Sequence, residues 1–147
     1  MPGNADTWWH DAKEEVAVAR HLKGGAKARE TYPRQAYHHV GQAVEFALKA
    51  ILLQKKNLDE IPPELRTSKG HDLETVAELA GLKPEIKELR EKRKICHLNW
   101  LTVRDWDSNA RFPGNRRSVQ EMSDLFTAVC HKPDGIIVWL ETIYQKS

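Results

Sequence analysis

The chain has 147 residues, 40% of them hydrophobic, with 8 Gly and 7 Pro, which is enough to bury one core and predicts a single domain over residues 1–147. Its 23 Lys and Arg against 21 Asp and Glu leave a formal net charge of +2, too mild to attract polyanions through an overall field, so any such site must be local. Residues Met1 to Trp9 contain no basic segment leading into an apolar run, and no stretch approaches the roughly 18 apolar residues of a membrane span, so the sequence predicts a soluble, cytoplasmic protein with no membrane contact.

In chain order, the apolar periodicity is helical and strand signals are nearly absent. Asp6 or Thr7 is placed to cap a first helix that carries Trp8, Ala12, Val16 and Ala19 and ends at Gly24-Gly25, with Trp8 and Trp9 one a core and the other an edge residue. A second helix, about Pro33 to Lys55, sets Ala36, Val40, Ala43, Val44, Ala47 and Ile51 on one stripe. Asn57 to Lys69 contains Ile61-Pro62-Pro63 and reads as a loop. A short third helix follows from His71-Asp72-Leu73 to Gly81, with Leu73, Val76, Ala77 and Ala80 inward. Pro84 opens a fourth that runs to roughly Arg104 and buries Ile86, Leu89, Cys96, Trp100 and Val103. Asp105 to Arg117 is irregular, rich in Asp, Ser, Asn, Gly and Pro. The last segment keeps one helical phase from Met122 to Ile143 across Pro133, which predicts a kinked helix or two nearly coaxial ones. Cys96 and Cys130 lack the paired spacing of a zinc or redox site and read as reduced core thiols.

Three segments, Gln42-Ala-Val-Glu-Phe-Ala-Leu-Lys-Ala50, Gly70-His71-Asp72-Leu73 and Arg111-Phe112-Pro113, lie in an order that resembles the HEPN family over nearly the whole chain. The family is named for higher-eukaryote and prokaryote nucleotide-binding domains, and the third segment resembles its Arg-Tyr-Pro loop. The resemblance implies an all-α, up-and-down antiparallel bundle of about five helices. It also implies one of several functions: a metal-independent ribonuclease, a toxin paired with a nucleotidyltransferase, or a non-catalytic nucleotide- or RNA-binding or docking module.

Ribonucleolytic members resemble one another in an Arg followed at short spacing by a His near the fourth helix, the two copies meeting in a homodimer cleft. Arg34 with His39, Arg66 with His71, and Arg90 with His97 satisfy the spacing, and among 10 Arg and 7 His chance alone supplies such pairs. Only Arg90 and His97 fall on the fourth helix. A seven-residue step turns an α-helix by about 700 degrees, so on one continuous helix Arg90, His97 and Arg104 share a face. A histidine there can move a proton at a 2′-hydroxyl or leaving 5′-oxygen, while an arginine stabilises the phosphorane, with no metal or cofactor required. Two departures stand against this reading: Glu91 follows Arg90, and Leu98-Asn99-Trp100 follows His97 where those members carry a tyrosine. The plain alternative is a solvated or interfacial helix face.

A second candidate is the loop in which Arg104, Arg111, Arg116 and Arg117 surround Trp106 and Phe112. Arginines interleaved with aromatics can hold phosphates while a ring stacks on a base. Its plain alternative is that Phe112-Pro113 packs into the core and the arginines are solvated. His38 and His39 project about 100 degrees apart and lack a partner motif, which argues against a metal site. Glu45 and Lys49 read as an i, i+4 pair that supports the helix. The partners implied are RNA or a nucleotide, a second copy of the chain, and a nucleotidyltransferase.

Overall fold

The computed structural model describes residues 4–24 and 31–145. Among these, seven α-helices form an all-α bundle: α1 (Ala5–Lys23), α2 (Pro33–Lys56), α3 (Leu73–Leu79), α4 (Lys83–Lys92), α5 (Lys94–Arg104), α6 (Val119–Cys130) and α7 (Ile136–Gln145). The part of the expected Gly24-Gly25 stop that falls on Gly25 lies outside the described residues. Asn4, not Asp6 or Thr7, caps α1, its side chain accepting the Thr7 amide at 3.0 Å, and Gly24 closes the helix at φ 80°. Pro33 opens α2 where its missing N–H costs nothing, and Asn57 ends it in the left-handed region at φ 52°. Ser118 and Glu121 form a reciprocal capping box at the start of α6.

α2 is the centre of the molecule. The expected stripe is buried, and so is its flank at Leu48 and Leu52, because α1, α3, α6, α7 and the Ser108–Arg111 turn all pack on this one helix. A helix covered on every side becomes hydrophobic nearly all round. α1 runs antiparallel to it: Trp8 meets Phe46 edge-on at 5.1 Å, Glu15 meets His39, and Leu22 accepts the Tyr32 amide at 2.9 Å. The inward tryptophan of α1 is Trp9, stacked on Tyr144 of α7 at 4.7 Å, whereas Trp8 and Val16 are half-buried. Cys96 is buried and Cys130 half-buried, both free, and burial raises both thiols above their ordinary pKa. Among the described residues, no helix is long and apolar enough to cross a membrane.

The expected fourth helix is divided, and the last segment forms two helices, one of the two arrangements its phase allows. The fourth breaks at Arg93 (φ −137°, ψ 73°) into α4 and α5, although its inward phase runs on through Leu89, Cys96, Trp100 and Val103. The cause is tertiary. The Arg93 guanidinium donates to the Pro133 carbonyl (3.2 Å) and pairs with Asp134 (3.0 Å), while Asn99 donates to the Asp134 carbonyl (2.9 Å). The same tie holds the turn that separates α6 from α7, where Lys132-Pro133 is cis.

Candidate functional site

His38, Gln42, Glu45 and Lys49 recur at steps of four, three and four along α2, forming a polar seam opposite its apolar stripe. Glu45 and Lys49 are 3% and 5% exposed and pair at 2.8 Å. A buried ion pair recovers its desolvation cost only when its remaining hydrogen-bonding capacity is used. Here it is: the second Glu45 oxygen bonds His71 Nδ1 at 2.9 Å, and the Lys49 ammonium lies over the Trp8 ring, 5.5 Å from its centroid. His71 reaches Glu45 because Gly70 brings the backbone close, where an added Cβ would overlap the Leu65 carbonyl and meet Lys49 Nζ at 3.4 Å.

The outer face of His71 meets Arg111, whose Nη1 lies 3.0 Å from His71 Nε2. An arginine only donates, so His71 must accept at Nε2 and carry its proton on Nδ1, toward Glu45. Arg111 is exposed, and its guanidinium also lies 4.6 Å from the centroid of the Phe112 ring, itself 48% exposed. The 105–117 loop is fixed to α2 at several points. Tyr37 accepts the Asp107 amide at 2.9 Å, Arg34 donates to the Ala110 carbonyl at 2.9 Å, and Arg117 pairs with Asp107 at 2.9 Å with its guanidinium over the Tyr37 ring.

Of the loop residues expected to bind phosphate and base, the geometry brings only Arg111 to a polar cluster. Arg104 and Arg116 are exposed and carry no side-chain partner among the described residues, and Arg117 is half-buried in the brace just described. Trp106 is not a surface platform. It is 7% exposed, donates to the Tyr37 carbonyl at 3.2 Å, and lies so close to Gly41 that a Cβ there would overlap its ring. The aromatics thus exchange the expected places, Trp106 entering the core and Phe112 remaining outside.

Arg90 lies on α4 and His97 on α5 because of the break at Arg93, so the shared-face geometry of one continuous helix holds for His97 and Arg104, both on α5, and does not extend to Arg90. Arg90 and His97 do line one shallow depression of about 270 Å³ together with Lys83, Ile86 and Lys87. Neither makes a side-chain hydrogen bond or ion pair among the described residues, and Ile95 (64%) and Leu98 (61%) are exposed beside His97.

Glu45 and Lys49 form the expected i, i+4 pair and also build the buried part of the cluster, with the half-buried His71 against it. The available signal was an acid and a base in a helix apolar on both of its other sides. His38, on the same seam, has a pKa lowered first by burial and then by the neighbouring His39; its Nδ1 has no hydrogen-bond partner and its ring stacks at 6.2 Å on Trp106. His39 is engaged by Glu15. No group of His, Cys, Asp and Glu able to hold a metal ion occurs among the described residues. No protein-family model, curated protein or solved structure matches this chain.

Proposed function

We propose that the protein is a HEPN-like domain that binds a nucleotide or an RNA phosphate at His71 and Arg111, with Phe112 as the platform for a base. The observation that carries this reading is the exposed Arg111 fork held between His71 and the exposed Phe112 ring. Arg111 uses one N–H on His71 and keeps others for phosphate oxygens. Glu45, buried behind His71, holds the Nδ1 side of the imidazole, so Nε2 stays turned toward Arg111 and fixes the guanidinium that meets the ligand. Phe112 then offers a face to any base, which predicts weak sequence preference.

Titration with AMP and with a short single-stranded RNA tests the reading. Wild type binds at least one of them, Arg111→Ala weakens binding tenfold or more, and Phe112→Ala costs about 1–3 kcal/mol, the usual contribution of one stacked base. Absence of binding by wild type, or equal binding by all three proteins, would overturn it.

A second reading, a toxin-like ribonuclease acting as a cytoplasmic homodimer and silenced by a nucleotidyltransferase, rests on Arg90 and His97 lining one depression beside the exposed Ile95 and Leu98. Cleavage of labelled RNA in EDTA by wild type, His97→Ala and His71→Ala distinguishes the two. Loss in His97→Ala alone favours the second reading, and inertness of all three leaves the binding module.

A further inference from the structure

On another side of the bundle, a groove of about 440 Å³ opens between α1 and the junction of α6 with α7 and shares no residue with either site above. Its volume falls within the ~300–1,000 Å³ of small-molecule pockets. The floor is aliphatic: Val16 from α1 faces Ile137 and Val138 from α7. Cys130 completes it, and because burial pushes its thiol up to about 11, it stays neutral and acts as an apolar wall, not a nucleophile.

The rim is cationic. Lys13, Arg20 and Lys132 line the groove against one carboxylate, Glu141, and none of the four has an ion-pair partner within 4 Å among the described residues. Arg20 and Lys13 stand two turns apart on one stripe of α1, and the Arg20 guanidinium is anchored over the Phe126 ring at 5.3 Å. The lining contains no aromatic ring on which a base could stack. Three unpaired cations around an aliphatic floor complement a molecule with one anionic end and an alkyl body.

We propose that this groove binds an aliphatic monocarboxylate, its chain on Val16, Ile137 and Val138 and its carboxylate among Lys13, Arg20 and Lys132. A concave slot between helices admits a single chain, whereas a lipid surface would need a convex or flat basic face.

Calorimetric titration of the whole protein with hexanoate, octanoate and decanoate tests this. The expected result is saturable one-to-one binding whose affinity rises about fourfold per methylene. Decanol should bind at least tenfold more weakly than decanoate. Lys13→Glu with Lys132→Glu, both at exposed positions, should weaken decanoate tenfold or more, and Val138→Trp, which fills the slot, should abolish binding at an unchanged unfolding midpoint. If Val138→Trp does not fold, the charge-reversed pair carries the test. No binding, decanol binding as tightly as decanoate, or indifference to charge reversal each overturns the proposal. So does attachment to phosphatidylglycerol vesicles without decanoate binding, which would assign the cations to a membrane surface.

Discussion

Two regions of this molecule hold an arginine beside a histidine, and they differ in what stands behind the pair. His71 and Arg111 are forty positions apart and meet over a buried carboxylate on the central helix, each fixed by a separate braced turn. Arg90 and His97 are near neighbours in sequence, lie on either side of a helix break, and have no side-chain partner among the described residues. Sequence spacing favours the second pair, whereas preorganisation favours the first. A side chain whose tautomer and direction are set by buried groups has already met part of the ordering cost of binding, and a free exposed one has not.

Stability gives the largest contrast. Glu45→Ala leaves the Lys49 ammonium buried without its partner and removes the acceptor of His71, so it should cost about 3–5 kcal/mol in urea unfolding. Replacing both members, Glu45→Leu with Lys49→Met, should restore much of that loss, since apolar residues of similar volume need no compensation. Arg90→Ala and His97→Ala should each stay within about 0.5 kcal/mol. If Glu45→Ala unfolds as late as these two, the cluster is not a buried network and the contrast collapses.

Gly70→Ala sharpens the comparison at intermediate size. The added methyl must displace the Leu65 carbonyl, so a cost of about 1–3 kcal/mol is expected, with His71 carried away from Glu45. Nucleotide affinity should fall with stability in this variant, while the 270 Å³ depression, built from α4 and α5, is untouched. A stable Gly70→Ala protein that still binds as wild type would show that the close approach at residue 70 does not position the imidazole.

These contrasts also explain what the sequence could tell. The stripe Ala36 to Ile51 was legible because burial at a 3.6-residue period leaves a local trace, and so was α3, whose Leu73, Val76, Ala77 and Ala80 all face inward. The break at Arg93 was not, because the apolar phase from Leu89 to Cys96 steps over it, and the bonds that cause it go to Pro133 and Asp134, some forty residues away. Trp106 sits in a loop of surface-like composition, and only Gly41 on a distant helix makes room for its ring. The three segments that carried the resemblance supply Glu45, His71 and Arg111, the line of contacts at the candidate site. Order along the chain was visible, but their meeting depends on backbone closure at Gly70 and bracing at Tyr37, which no periodicity encodes.

The smallest expected effect is a pH dependence confined to the α2 seam. Burial and the neighbouring His39 lower the His38 pKa from its ordinary 6.5, with Arg111 acting in the same direction and Glu15 and Glu45 opposing it. Above pH 6.5 the imidazole is neutral in both folded and unfolded chains and contributes no slope. Below it the unfolded chain takes up a proton that the folded chain resists, so stability should decline from about pH 6.5 until the lowered folded value is reached. The ring is half-exposed and solvent screens its charge, so the slope should stay under the one-proton ceiling of about 1.4 kcal/mol per pH unit. His38→Gln should remove this component and flatten the difference between unfolding curves at pH 7.5 and 5.5, whereas His97→Ala, at the unbraced pair, should leave it in place. A wild-type curve that rises toward pH 5.5 relative to His38→Gln would reverse the sign and place His38 in a site that welcomes the proton.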